Sequence, residues 1–411
     1  MRGLIGKKLG HSFSKEIHEL FYKEYTLMEV SDLDAFMQER AFDAINVTIP
    51  YKEAVLSYLD CQSEEVSKIG ACNTIVKQDG KLIGYNTDYY GFLYMLKKHK
   101  VNLEGKKIVI LGHGGASKAV IAVLKDLKIS NYLICKPTKT QDTITYQELY
   151  ENHRDCSVII NTSYVGMYPN NDDRVIDLTY FKELDCVIDL IYNPLKTNLI
   201  VDAQERKIKA IGGLEMLVAQ AIKAISLFLN QEIHETLIDE IYQSLLKKKY
   251  NLVLIGPSYS GKTTIGAYLA EELDYKLIDI DAEIEKEIKM DISTYFALHG
   301  EQAFRRLEEK IIKTYAKMHH NIIITGAGAV INPRNMQRLL QNGYIYAIDR
   351  PMEHIVLDSS RPLATNMQQL KQLNATRKAL YDKYCDETVM NHTTIQACAE
   401  VIAKKWRSHE G

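Results

Sequence analysis

Residues Lys106–Ser117 read KKIVILGHGGAS, and residues Asn251–Thr264 read NLVLIGPSYSGKTT. Each stretch is a strand-sized apolar run, then a glycine-rich turn, then the opening of a helical pattern. Glycines in such a turn let the backbone approach a phosphate, and the helix N-terminus offers N–H groups and a partial positive charge. The first turn, Gly112-His113-Gly114-Gly115-Ala116-Ser117, suits a dinucleotide pyrophosphate. The second, Gly256-Pro257-Ser258-Tyr259-Ser260-Gly261-Lys262-Thr263, fits G-x-x-x-x-G-K-[ST]. There the backbone cradles nucleotide phosphates, Lys262 reaches the outer ones, and the Thr263 hydroxyl ligates Mg²⁺.

Outward from these turns, strand-like and helix-like stretches alternate. MRGLIG, YTLMEV and DAINVTI read as short buried strands, with SKEIHELFYKEY and DLDAFMQERA helical between them. NTIVKQDGKLIGYN reads as a hairpin turning at Asp79-Gly80. KKIVILG, NYLIC, SVIINT and CVIDLIY give four more strands in the βαβ pattern of a parallel sheet. A helix-rich stretch from Leu214 to about Leu246 ends in Lys247-Lys248-Lys249, after which NLVLIG, KLIDID, NIIITGAG and YIYAID start a second series. The main boundary is expected near residues 247–251.

At 411 residues the chain is expected to hold two or three domains. With 46% hydrophobic and 25% charged residues, 8 Pro and 22 Gly, it is neither disordered, collagenous nor a coiled coil. A net charge of −2 argues against nucleic-acid or anionic-membrane partners. No apolar stretch approaches the roughly 20 residues of a bilayer span, and no signal peptide is evident. Seven scattered cysteines without a C-x-x-C pair suit reduced thiols in the cytoplasm, not a disulfide frame or a zinc site. The histidines show no metal spacing. The oligomeric state is open between monomer and homodimer.

An NAD site wants an acidic residue after the second strand of its unit. Cys135-Lys136-Pro137-Thr138-Lys139 offers cations, which suit the 2′-phosphate of NADP. Upstream lie three polar clusters: His11-Ser12-Phe13-Ser14, Asn46-Val47-Thr48-Ile49-Pro50-Tyr51-Lys52 and Asn86-Thr87-Asp88. Ser14 and the Asn86 cluster are each also candidates to cap a helix. Beside a hydride cofactor, Lys52 and Asp88 suit alcohol–ketone interconversion, in which a proton moves at oxygen while hydride moves at carbon. The Ser12 and Ser14 hydroxyls suit a substrate carboxylate.

In this order HSFS, NVTIPYK, GACNTI, GYNTD, GHGGAS, NTSYVGM, DLIYNP and GGLEMLVAQA resemble shikimate dehydrogenase over roughly residues 3–245. The resemblance implies an NADPH-dependent reduction of 3-dehydroshikimate to shikimate. It implies that Ser12, Ser14, Thr48, Asn73, Asp88, Tyr192 and Gln220 line the substrate pocket, with Lys52 and Asp88 catalytic. Gly112, Gly114, Gly115, Ala116, Ser117, Lys136, Leu190 and Gly213 would contact NADP(H). The family usually has Pro where this chain has Lys15, which should loosen the serine loop modestly. It commonly has Arg at Lys136, so the preference for NADP is expected to be weaker.

Downstream of the second turn come Asp279-Ile280-Asp281, Phe304-Arg305-Arg306-Leu307-Glu308, Gly326-Ala327-Gly328, Arg361-Pro362-Leu363 and Arg377. An Asp beside the γ-phosphate can hold an acceptor hydroxyl, and arginines suit a carboxylated substrate and transition-state charge. Their order resembles shikimate kinase over about residues 251–405. From that resemblance, Asp281 would orient the acceptor hydroxyl, and Arg305, Gly328 and Arg377 would bind the substrate acid. Ser258, Tyr259, Ser260, Gly261, Lys262, Thr263 and Thr264 would hold ATP, with Lys262 also catalytic. Thr263 and Asp279 would serve Mg²⁺, and Arg361 would act from a lid. Ala327 replaces the middle glycine of three. If that position needs φ > 0, Ala is strained by about 1 kcal/mol and Ala327→Gly should lower the shikimate KM; if only its N–H is used, the change is silent.

The implied fold is α/β: a substrate domain at 1–88 with the helices of 214–246 packing back on it, a Rossmann NADP domain at 89–213, and a P-loop kinase domain at 250–411. The implied function is consecutive reduction and phosphorylation in chorismate and aromatic amino-acid biosynthesis. Alternatives are a shikimate- or quinate-sensing regulator that has lost catalysis, and a quinate- and NAD-preferring dehydrogenase fused to a small-molecule kinase.

Overall fold

The apolar runs become strands because their β-branched side chains bury on both faces once helices cover the sheets. The computed structural model describes all residues except 8, 10, 11, 356–365 and 409–411. His11 and Arg361 therefore lie outside the described residues. The chain divides into two compact units, Met1–Asn193 with Thr197–Ser244, and Pro194–Lys196 with Leu245–Gly411.

The first unit holds two sheets. One contains β1 (Arg2–Gly6), β2 (Thr26–Glu29), β3 (Ala44–Val47), β4 (Cys61–Gln62), β5 (Thr74–Gln78) and β6 (Lys81–Tyr85), in the order β2-β1-β3-β5-β6-β4. β5 and β6 form the expected hairpin, and φ of 50° at Asp79 and 77° at Gly80 gives the tight turn that matches strand twist. The second sheet contains β7 (Ile108–Leu111), β8 (Tyr132–Cys135), β9 (Val158–Asn161), β10 (Cys186–Asp189) and β11 (Lys209–Ile211), all parallel, in the order β11-β10-β9-β7-β8. That order reverses direction between β7 and β9, and the crevice at such a switch point is where open α/β sheets bind ligands.

In the second unit a parallel sheet contains β12 (Asn251–Ile255), β13 (Lys276–Asp279), β14 (Asn321–Ile324), β15 (Gly343–Asp349) and β16 (Glu387–Met390), in the order β13-β14-β12-β15-β16. The central strand β12 delivers the chain directly into the helix Lys262–Leu273 through the phosphate loop.

Three expectations change. YTLMEV yields an edge strand, β2, whose residues are exposed or half-buried and not buried. The helix expected over SKEIHELFYKEY is one turn, Ser14–His18. Beyond it the chain folds back so that Tyr25 stacks on the buried His18 ring at 4.1 Å, and this packing overrides helical periodicity. The strands absent from the sequence reading, β4, β11 and β16, are all edges of two to four residues. Pairing on one side only, they need no apolar run.

Candidate functional site

In the first unit, Lys52 follows the turn after β3, and its carbonyl accepts the Cys72 N–H at 2.7 Å. Asp88 sits in the first turn of the helix Thr87–Lys98. Their side chains, 18% and 13% exposed, meet with Nζ 2.5 Å from Oδ2. This mostly buried ion pair brings together the two residues expected to handle the proton.

Beneath it runs a buried chain of neutral hydrogen bonds. The Tyr25 hydroxyl donates to Asn46 Oδ1 at 2.8 Å, and Asn46 Nδ2 donates to Thr74 Oγ1 at 3.1 Å. Asn73 Oδ1 accepts the Thr87 N–H at 2.8 Å, and Asn73 Nδ2 donates to Thr87 Oγ1 at 3.1 Å. Asn73 thus caps the helix that carries Asp88. Asn86, expected as a cap, makes no side-chain capping bond; its Nδ2 donates to the Ala71 carbonyl at 2.8 Å. The Thr87 hydroxyl also bonds Gln220 Oε1 at 3.1 Å, fixing the Gln220 amide.

Ser14 does not cap its helix with its side chain; Phe13 holds the cap position. Ser12 Oγ instead accepts the Ser14 N–H at 3.2 Å, which orders the serine loop from within. Burial pushes the Tyr192 phenol up, with a hydrogen bond to Ser12 acting the other way, and the Tyr192 ring lies 5.3 Å from that of Phe13. Thr48 follows β3 directly, and its methyl packs over Gly6, where a Cβ would come within 2.6 Å of it. Ser12, Ser14 and Tyr192 are thus drawn together, as are Asn73, Asp88 and Gln220.

On the dinucleotide side, Gly112 has φ 104°, and a Cβ there would meet Thr162 Oγ1 at 2.9 Å. Gly114, by contrast, faces open space, and Gly115 begins the helix Gly115–Asp126. A Cβ on Gly115 would lie 3.5 Å from Lys52 Cδ, so this turn adjoins the ion pair. Ala116 is half-buried. Ser117 is fully buried and donates back to the Gly114 carbonyl at 2.8 Å. Gly213 backs onto Leu190, whose carbonyl oxygen would lie 2.1 Å from a Cβ. Lys139 forms an ion pair with Glu148 at the surface, its side chain 58% exposed, a weak pairing that leaves it among the expected 2′-phosphate cations. Lys136 is half-buried and makes no ion pair among the described residues, and it shares that expectation with Thr138 and Lys139.

Asp189, fully buried at the end of β10, went unassigned in the sequence. It accepts from Thr197 Oγ1 at 2.6 Å, Asn161 Nδ2 at 3.0 Å and the Ile191 N–H at 3.0 Å. Burial pushes its carboxyl up to about 7 despite these bonds. It anchors the loop on which Leu190 and Tyr192 stand.

In the second unit the phosphate loop has positive φ at Gly256 (138°), Tyr259 (64°) and Gly261 (92°). Lys262 is buried, and its ammonium donates to the Gly256 and Pro257 carbonyls at 2.9 and 2.7 Å. Ser260 is buried, and its carbonyl accepts from Asn391 Nδ2 at 2.9 Å, a clamp that the motif does not reveal. Ser258, Thr263, Thr264, Asp279 and Asp281 share a cavity of about 180 Å³. Thr263 Oγ1 donates to Asp279 Oδ2 at 3.2 Å. Burial and then the Asp281 charge hold Asp279 above its ordinary value.

Two glycines let acid and base close in. A Cβ on Gly326 would lie 2.8 Å from Asp281 Oδ1, and one on Gly328 would lie 2.2 Å from Arg305 Nη2. Arg305 donates to Glu308 at 3.0 Å and to Glu301 at 3.2 Å. Glu308 is fully buried; burial raises it to about 7, with Arg305 pulling the other way. Arg377, also buried, hydrogen-bonds Tyr381, whose hydroxyl donates to the Ala327 carbonyl at 2.7 Å. Ala327 does not have a positive φ, so the strain expectation is withdrawn.

Among the described residues no group of three or more His, Cys, Asp or Glu is placed to hold a metal ion, and no helix is long and apolar enough to cross a membrane.

Known proteins resemble both halves. The family described as shikimate dehydrogenase substrate binding domain matches residues 4–75, and shikimate kinase matches residues 259–407. A shikimate dehydrogenase (NADP(+)) of Clostridium perfringens is 38% identical over 264 residues, covering 59% of this chain and 97% of that protein. The crystal structure of shikimate dehydrogenase 1 from Peptoclostridium difficile is 37% identical with a TM-score of 0.55, covering 59% of this chain and 97% of its own. Shikimate 5-dehydrogenase from Thermus thermophilus, solved in complex with NADP(H) and shikimate, is 28% identical with a TM-score of 0.52, covering 59% and 98%. The chain belongs to the shikimate dehydrogenase family and carries a shikimate kinase domain on the same polypeptide.

Proposed function

We propose that the first unit reduces 3-dehydroshikimate to shikimate with NADPH, and that the second phosphorylates shikimate with ATP to shikimate 3-phosphate. The observation that carries the first step is the approach of the glycine turn to the ion pair, Gly115 lying against Lys52 while Lys52 holds Asp88. The open space at Gly114, the helix N-terminus at Gly115 and the Lys136 cation fit a phosphorylated dinucleotide. Bound NADPH would supply the hydride. Lys52 then delivers a proton to the ketone oxygen, and Asp88 holds the ammonium in place and relays its replacement. Ser12 and Ser14 would bind the carboxylate, with Thr48, Asn73, Tyr192 and Gln220 around the ring. Gly112, Ala116, Ser117, Leu190 and Gly213 would shape the cofactor's seat.

In the second step Asp281 orients the acceptor hydroxyl, and Arg305 and Arg377 hold the carboxylate beside Gly328. Lys262 and the loop N–H groups from Ser258 to Thr264 bear the phosphate charge. Thr263 and Asp279 present hard oxygens of the type Mg²⁺ takes, and a cation would relieve the burial cost at Asp279. That ion would neutralise phosphate charge.

The test is mass spectrometry of products formed from 3-dehydroshikimate, NADPH, ATP and Mg²⁺. The parent should yield shikimate 3-phosphate, Lys52→Ala no product, and Lys262→Ala shikimate alone. Unreacted substrate from the folded parent would refute the reading.

A further inference from the structure

Tyr259 occupies a backbone position that glycine prefers, with φ 64° in the phosphate loop. Most other non-glycine residues with positive φ end helices or make turns, as Arg40, Asn230, Asp274 and Lys289 do at helix C-caps. Tyr259 ends no helix; it sits in the turn of the phosphate loop itself. It lines the phosphate cavity and at the same time packs on the apolar cluster of Ile355 and Leu370, with Met352, Met367 and Leu373 around it.

Leu370 and Leu373 belong to the helix Met367–Tyr384, and so do Arg377 and Tyr381. Spacings of three, four and four residues put all four on one face. Leu370, Arg377 and Tyr381 are buried along it. At one end this face meets the Tyr259 ring; further along it presents Arg377; at its far end Tyr381 bonds the Ala327 carbonyl between Gly326 and Gly328. A rigid element therefore joins the nucleotide loop to both walls of the acid's seat.

We infer that Tyr259 is a positioning residue that links nucleotide binding to carboxylate binding by bracing the phosphate loop against the helix of Arg377. The inference rests on the kinase reading above. A glycine at 259 would ease the backbone and remove the brace, which explains why a bulky residue occupies a left-handed position.

Calorimetric titration of the full chain with shikimate, with and without ADP and Mg²⁺, tests this. ADP should tighten shikimate binding severalfold in the parent. In Tyr259→Gly that ratio should fall to about one while ADP still binds, which shows that the loop is folded. Tyr259→Phe, which keeps the ring, should retain the parent ratio. A parent ratio of one, an undiminished ratio in Tyr259→Gly, or a ratio lost in Tyr259→Phe would each overturn the brace. A parent that binds both ligands but forms no shikimate 3-phosphate would overturn the kinase reading separately.

Discussion

Lys52 and Asp88 meet over a floor of neutral carboxamides and hydroxyls, whereas Asp281, Arg305, Glu308 and Arg377 crowd one another with opposite charges. The two proposed reactions account for the contrast. Ketone reduction moves one proton, so its site needs one mobile ion pair held in register by groups that do not titrate. Phosphoryl transfer gathers a carboxylate and several phosphate charges, so its site needs fixed cations, held in advance by buried groups such as Glu308 at Arg305 and the loop carbonyls at Lys262. Neutral scaffolding costs little to bury when every group is bonded. Buried charge is expensive even when paired, as the raised Glu308 and Asp279 carboxyls register.

The sharpest way to break the comparison is to remove one proposed catalytic cation from each unit. Lys52→Ala should lower the dehydrogenase rate by roughly 10²–10⁴-fold. Lys262→Ala should lower the kinase rate by about 10²–10³-fold. In separate assays each variant should retain the other activity within about twofold. Loss of both rates from either change would show that the sites do not act independently.

A smaller effect probes the neutral floor. Asn73→Ala strips the cap from the helix of Asp88 and leaves the buried Thr87 N–H unpaired, a loss of about 1–3 kcal/mol. The urea midpoint of the dehydrogenase unit should fall, and its rate should fall on the order of tenfold as Asp88 loosens, since about 1.4 kcal/mol of lost positioning energy is tenfold in rate. An unchanged rate in a destabilised protein would separate the cap from the chemistry.

Asn73 also marks the limit of what the sequence discloses. The glycine turns, Lys52, Asp88 and the arginine series are legible because phosphate and carboxylate chemistry demands those residue types at those places. Asn46 and Asp189 are polar residues in the apolar strands AINV and CVID, and their buried partners do not show in the sequence. Their partners are set by strand register: Asn46 stands opposite Thr74 in the β3–β5 pair, and Asp189 beside Asn161 in the β9–β10 pair. Glu308 and Asn391 depend likewise on elements distant in sequence, Arg377 and the phosphate loop. The same holds for Lys139, whose surface pairing with Glu148 depends on the next helix.

Asp189 is a fully buried carboxyl of the first unit whose partners Thr197, Asn161 and Ile191 N–H carry no charge. Its folded value of about 7 lies above the 3.8 of a free Asp. Between those values the native state holds a proton that the unfolded chain has released, so stability falls as pH rises through this window and levels off above it. Asp189→Asn should flatten the decline between about pH 4 and pH 7 by up to one proton's slope, read from urea midpoints of the dehydrogenase unit. A variant with the parent's full slope would mean that Asp189 is ionised across the range.

The smallest expected effect lies at Ala327, in the charged site. Its φ is not positive, so glycine has no strain to relieve. What the position contributes is a carbonyl that receives the Tyr381 hydroxyl, and glycine keeps that carbonyl. Glycine adds only backbone freedom, worth about 0.5–1 kcal/mol of order in a regular element and less in a loop held on both sides. Gly326 and Gly328 differ, because Asp281 and Arg305 occupy the space their side chains would need. Ala327→Gly should therefore leave the shikimate KM of the kinase within about twofold, whereas Gly328→Ala should raise it by more than tenfold by displacing Arg305. A severalfold fall in KM for Ala327→Gly would mean that the loop flips to a left-handed conformation when substrate binds.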